Sequence, residues 1–173
     1  YLLRALARLR ARGRRVEATL IGPVREGGPT DRLIDELGLR DHLRIRSGLS
    51  PEDIVAEYAE SDIAVVPSLY EGFGLPAGEA MACAVPVIAT TGGALPEVVG
   101  DAGELVPPAD DEALTEALER LARNPAHRER LAERGLARVR EQFNWTRTAR
   151  ETVNVYRDAI RSSQPNARRT SQD

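Results

Sequence analysis

Four times between residues 2 and 89 the sequence passes from a helical apolar repeat into a short, β-branched apolar run, and few folds accommodate that alternation. Leu2, Leu3, Leu6 and Leu9 predict a helix over residues 2–12, ended by Gly13. Val16 to Ile21 predicts a short buried strand closed by Gly22-Pro23. Pro29 to Leu37 follows as a helix, with Thr30 or Asp31 near its start and Gly38 at its end. Leu43 to Ile45 is the second strand. Ser50 as N-cap and Pro51 at the first helical position open the next helix, with Ile54, Val55 and Tyr58 as its apolar face. Asp62 to Val66, the helix Pro76 to Ala84, and the strand Val85 to Ala89 complete the series, and Leu105-Val106 offers a short fifth strand. Short apolar strands separated by helices imply a parallel sheet covered on both faces. The expected class is α/β, a doubly wound parallel sheet.

Beyond Pro108 the periodicity is helical throughout. Leu114, Ala117, Leu118 and Leu121 form one stripe, and Leu131, Leu136 and Val139 a second. Trp145, Ala149, Val153, Tyr156 and Ile160 form a third, assigned to the core, with Asn144 as its cap. The expected organisation is one domain over residues 1–161 and a polar, disordered tail over 162–173.

The charge balance excludes several classes. Twenty-four basic residues against 27 acidic ones, a net charge of −3, argue against a cationic nucleic-acid binder. Cys83 is the one cysteine, which excludes an internal disulfide and the cysteine-rich metal sites. His42 and His127 read as surface residues and leave little for a zinc site. All the basic residues are arginine, so no lysine chemistry resides here. That composition fits a GC-rich bacterial genome. The arginines of the first helix, Arg4, Arg8, Arg10 and Arg12, read as a solvated face, with an anionic-lipid patch as the sharper alternative. Glu112, Glu116 and Glu119 are expected on another exposed face. The chain begins at Tyr1 inside a helix and carries no visible signal peptide, so it is expected to be a fragment lacking an N-terminal portion.

The chemistry concentrates in Pro67 to Glu97. A loop leaves the carboxyl end of the third strand, where open parallel sheets bind ligands. Gly72 and Gly74 flank Phe73 and let the backbone approach a ligand. Pro76 then starts a helix whose first amides are unpaired and partially positive, suited to a phosphate. Glu71 and Glu79, eight positions apart, bracket the loop, and a carboxylate accepts hydrogen bonds from neighbouring sugar hydroxyls. Donors for phosphate beside acceptors for hydroxyls suit a nucleotide-sugar. The spacing fits neither a Walker loop nor a dinucleotide fingerprint.

The run Glu71-Gly72-Phe73-Gly74-Leu75-Pro76-Ala77-Gly78-Glu79 resembles the Glu-x₇-Glu motif of retaining glycosyltransferases of the GT-B fold, family 4 in particular. The similarity extends through Leu20-Ile21-Gly22, Ser47-Gly48-Leu49-Ser50, Val85-Pro86-Val87-Ile88, Gly92-Gly93, Leu95-Pro96-Glu97 and Phe143-Asn144-Trp145. It implies the C-terminal, Rossmann-like domain of a two-domain enzyme, here without its first strand, that binds a nucleoside-diphosphate sugar. It implies that Glu79 holds the ribose and that Glu71 lies by the donor sugar as the catalytic residue. The amides of Phe73, Gly74 and Leu75 would meet sugar or diphosphate, with Gly72 and Gly22 in the donor-binding set and Gly48 and Leu49 against the base. No cofactor or metal is implied. The acceptor would belong to a missing N-terminal domain, as would the Arg and Lys with which the family grips diphosphate. A cytoplasmic place, with possible peripheral association of the parent at the inner membrane face, goes with this resemblance. Gly78 and Ala84 depart from residues frequent in the family. A nucleotide-sugar epimerase of the same architecture and a non-catalytic nucleotide-binding module are the competing readings.

Taken singly, the same residues have plainer roles. Glu79 would favour a helix dipole, Glu71 would be a solvated loop residue, and Gly92-Gly93 would be a tight turn.

Overall fold

The computed structural model describes residues 1–163. α1 spans Leu2–Ala11 and leads into β1, Ala18–Ile21. α2 spans Pro29–Glu36, and a 3-10 turn at Arg40–His42 leads into β2, Leu43–Arg46. Then come α3 Pro51–Ala59, β3 Ala64–Val66, α4 Leu75–Ala82, β4 Val87–Thr90, α5 Leu95–Val99 and β5 Glu104–Val106. Three helices finish the described chain: α6 Asp111–Arg123, α7 Pro125–Gln142 and α8 Trp145–Ser163. The expected alternation is present, and every strand pair is parallel.

The local signals act as the sequence implies. Ser50 accepts from the Asp53 amide while Asp53 accepts from the Ser50 amide, a closed capping box. Asn144 accepts from the Arg147 amide at 2.9 Å and caps α8. Gly13 and Gly38 close α1 and α2 with left-handed backbones.

Strand boundaries move inward. β1 begins at Ala18 instead of Val16, and β3 at Ala64 instead of Asp62. β4 begins at Val87 because the chain first turns back on α4: Ala84 is left-handed (φ 56°) and the Val85 amide donates to Ala80 O. α5, five residues long, is too short to show a helical period in sequence.

The strands form two sheets rather than one, β1–β2 and β3–β4–β5. Helices line both faces. On one face α1 and α6 pack Leu3, Leu6, Leu9, Leu114, Leu118 and Leu121 against Ile88 and Val106, with Ala18, Leu20, Ile63 and Val65 half-buried beneath. On the other, α4 and α5 pack Ala77, Ala80, Met81, Leu95 and Val98 against Val66, Val87 and Ala89. Gly135 of α7 lets Met81 approach.

Burial corrects several expectations. β1 is only half-buried and Ile21 is exposed, because one of its edges faces a cleft instead of a strand. β2 alternates Leu and Ile with arginine and lies open at the sheet edge. Val55 is exposed on α3. The arginines of the first helical segment are not all free: Arg4 stays exposed, but three find partners. Arg8 pairs with Asp111 at 2.7 Å, Arg12 with Glu119 at 2.9 Å, and Arg10 donates to Gly38 O. Glu119 is correspondingly covered, while Glu112 and Glu116 stay exposed. His127 finds a carboxylate, Glu104, at 3.4 Å. The third stripe is not core: Trp145 is 87% exposed, and Val153, Tyr156 and Ile160 are open too, since no described element packs on that side of α8. Ser162 and Ser163 remain helical, and the rest of the expected tail, residues 164–173, lies outside the described residues. No described helix is long and apolar enough to cross a membrane.

Candidate functional site

The loop from β3 to α4, residues 67–74, leaves the carboxyl end of its sheet and is held by the turn after β4. The Thr90 hydroxyl donates to Ser68 O at 2.5 Å and accepts from the Gly92 amide at 3.2 Å. The Ser68 hydroxyl donates to Glu71 Oε1 at 2.7 Å, and the Ala94 amide donates to Glu71 O at 2.9 Å. Both the side chain and the carbonyl of Glu71 are therefore fixed, and Glu71 is half-buried rather than a solvated loop residue. The Gly92-Gly93 turn is more than a reversal of direction. A Cβ at Gly93 would fall on the Glu71 carbonyl, and Gly93 is left-handed at φ 65°, so only glycine permits this approach.

Gly74 is the N-cap of α4 with φ 91°, and a Cβ there would lie 2.7 Å from Leu95 Cδ2. Of the two glycines that flank Phe73, Gly74 has a left-handed backbone and Gly72 does not. The first helical hydrogen bonds go to Gly74 O, from Ala77 at 3.0 Å and Gly78 at 3.3 Å. The amides of Phe73, Gly74 and Leu75 have no partner among the described residues. Unpaired amides at a helix start carry partial positive charge and suit an anion.

Glu79 lies one turn into α4, exposed, with no hydrogen bond or ion pair among the described residues. Its charge is felt by its neighbours. Burial, and then the nearby Glu79 charge, pushes the Tyr58 phenol up to about 12, and the same two causes raise the Cys83 thiol. The Tyr58 hydroxyl donates to Pro76 O at 3.1 Å and ties α3 to the start of α4. Leu69, Tyr70, Phe73 and Leu75 are exposed around the loop, an apolar rim beside the amides.

The remaining predicted residues sit on the other sheet. Gly22 (φ 145°) follows β1, and its amide donates to Arg46 O at 2.8 Å. Gly48 (φ 67°) and half-buried Leu49 follow β2. All three lie beyond the carboxyl ends of their strands, but among the described residues no hydrogen bond joins them to the loop over 71–79. Ser68 and Thr90 are not among the expected site residues, and Phe143 enters the sequence reading only through the family resemblance. Thr90, a polar residue ending a fully buried strand, was the available signal. Phe143 meets Phe73 edge-on at 5.9 Å and braces the loop from α7. Among the described residues no group of three His, Cys, Asp or Glu could hold a metal.

Known proteins give this geometry a context. The sequence model of glycosyl transferases group 1 matches residues 1–138. The chain is 48% identical over 163 residues to MMP alpha-(1->4)-mannosyltransferase of Mycolicibacterium hassiacum, covering 92% of the chain and 39% of that protein. It is 40% identical over 127 residues to a D-inositol 3-phosphate glycosyltransferase of Saccharomonospora viridis, covering 72% of the chain and 29% of that protein. Its fold matches sucrose-phosphate synthase of Thermosynechococcus elongatus with a TM-score of 0.77 and 34% identity, over 94% of the chain and 43% of the other. The chain thus spans well under half the length of these proteins.

Proposed function

The chain belongs to the group 1 glycosyl transferases, and from that footing we propose that it is the donor-binding domain of a retaining, metal-independent hexosyltransferase of family 4. The observation that carries this reading is the β3–α4 loop. It sets three unpartnered amides, Phe73 to Leu75, at a helix start between two carboxylates.

Each part has a task. The amides and the α4 N-terminus receive the diphosphate and offset the negative charge that grows on it as the sugar departs. Glu79, exposed and unpaired, accepts from two ribose hydroxyls. Glu71, held by Ser68 and by the Gly92–Ala94 turn, presents its free oxygen to the donor sugar and fixes its orientation. Gly22, Gly48 and Leu49 border the base. No metal takes part. The acceptor is bound by the rest of the parent polypeptide. The mannosyltransferase relative supports a hexose donor.

The test is calorimetric titration of the chain and of its full-length parent with UDP, GDP and ADP, repeated with Glu79→Ala. Binding of one nucleotide is expected. Loss of two hydrogen bonds to a charged acceptor, each about 1.5 kcal/mol or more, predicts at least a tenfold weakening in Glu79→Ala. A parent that binds none of the three overturns the reading.

A further inference from the structure

We propose that Arg138 on α7 is a positioning residue for the donor sugar: it grips the carboxyl end of α5 and so fixes the other end of that helix, which holds Glu71. This role rests on the reading of Glu71 as the group that meets the donor sugar.

α5 is five residues long, Leu95–Val99, and a helix that short does not sustain itself. Its last carbonyls have no partner within the helix. Gly100 donates to Pro96 O at 2.9 Å and Ala102 to Val99 O at 3.1 Å, but no backbone amide among the described residues reaches the carbonyls of Glu97 and Val98. Arg138 serves both. Its Nη2 donates to Glu97 O at 2.7 Å and its Nε to Val98 O at 2.8 Å. The planar guanidinium presents these donors in a fixed fork, and its charge suits the negative end of a helix. Gly100 makes room for it. A Cβ there would lie 2.6 Å from Arg138 Cζ, and the φ of 57° favours glycine as well.

The opposite end of α5 is at the site. Its N-cap, Ala94, donates to Glu71 O at 2.9 Å. Leu95 is fully buried with its side chain against Gly74. A helix about 8 Å long thus runs from the Arg138 clamp to the Glu71 carbonyl. α7 is a firm base for that clamp, because Gly135, three positions before Arg138, lies against Met81 of α4. α4 and α5 are therefore seated on one stretch of α7, and the Glu71 loop hangs between their amino ends. Releasing Arg138 loosens α5 and with it the hold of Ala94 on Glu71. α4 keeps its own seat, so the amides at its start and Glu79 stay in place. The loss should fall on the sugar and spare the nucleotide.

The experiment makes two measurements on Arg138→Met and Arg138→Lys in the full-length protein. The first is hydrogen exchange without ligand. In Arg138→Met the Ala94 amide is expected to exchange about tenfold faster or more, while the Ala64 amide, bonded to Pro86 O, keeps its rate. The second is calorimetry with matched pairs: UDP-glucose against UDP, GDP-mannose against GDP, and ADP-glucose against ADP. For the pair that binds, Arg138→Met should weaken the nucleotide-sugar about fivefold or more and change the nucleoside diphosphate by less than about twofold. Arg138→Lys, which keeps the charge but not the fork, should lie between Arg138→Met and the unsubstituted protein in both readings. Leu118→Ala, in the opposite core face, is the control for stability alone: it should lower Tm and leave the ratio of the two affinities unchanged. An Ala94 amide that exchanges no faster in Arg138→Met overturns the proposal. So does equal weakening of both ligands, weakening of neither, or the same split in Leu118→Ala. If Arg138→Met does not fold, Arg138→Lys is held to the same criteria. A protein that binds none of the six ligands overturns the donor-site reading and this role with it, and the exchange result then reports on the α5 clamp alone.

Discussion

Replacing Gly93 with alanine tests whether the turn after β4 positions Glu71. At φ 65° an L-residue costs about 1–2 kcal/mol relative to its ordinary conformations. The new methyl would fall on the Glu71 carbonyl and lie 2.9 Å from the Glu71 amide nitrogen. Both obstacles are backbone, so no rotamer relieves them and the two loops must separate. That sacrifices the Ala94–Glu71 hydrogen bond, a further loss of about 1 kcal/mol. The expected destabilisation is about 2–3 kcal/mol, which lowers Tm by roughly 4–12 °C in a domain of this size. Gly78→Ala is the matched control. Gly78 lies inside α4 with open space around its Cα, so alanine should raise stability by about 1 kcal/mol through helix propensity alone. Thermal unfolding followed by circular dichroism reads both variants. An unchanged Tm for Gly93→Ala, or a fall for Gly78→Ala as large as that for Gly93→Ala, refutes the reasoning.

Further outcomes follow from the same structure. Ala84→Gly relieves a left-handed alanine and should stabilise by about 0.5–1 kcal/mol after the greater freedom of glycine in the unfolded chain is counted, read as a higher urea midpoint. Phe143→Ala removes a half-buried ring and its edge-on contact with Phe73, costing about 1–2 kcal/mol, whereas Trp145→Ala on the open face of α8 should change the stability of this chain by less than about 0.5 kcal/mol. In acid, the Arg8 hydrogen bond holds Asp111 below its usual range, and Arg12 and Arg14 do the same for Glu119. Folded values below the unfolded ones give stability that is complete above the ordinary carboxylate range and is lost as pH falls through the depressed values. Asp111→Asn combined with Glu119→Gln should therefore flatten the decline of Tm between neutral pH and pH 3.

The parts of this fold that were legible in sequence depend on local chemistry. The capping box at Ser50 and Asp53, the Asn144 cap and the Leu114–Leu121 stripe are each decided within a few residues, and each appears as expected. Long-range partners were not legible. Arg8 and Arg12 find their acids more than a hundred positions away, so helical spacing alone could not distinguish a solvated face from a docking one. Trp145 illustrates the converse. Spacing identifies an apolar face but not what covers it, and here the face is open. At the site, the two glutamates and three glycines stood out as a motif. The clasp of Ser68, Thr90 and Ala94 on Glu71 depends on two loops from neighbouring strands meeting, which the sequence does not record.

The central claim is that the β3–α4 loop receives the diphosphate of a nucleotide-sugar. Amide NMR of the full-length parent, selectively labelled at Phe, Gly and Leu, tests it most directly on addition of the nucleotide that binds. The account predicts the largest shifts at the Phe73, Gly74 and Leu75 amides, abolished in parallel by Glu79→Ala. Shifts confined to other segments, with these three amides unmoved at saturation, would contradict it.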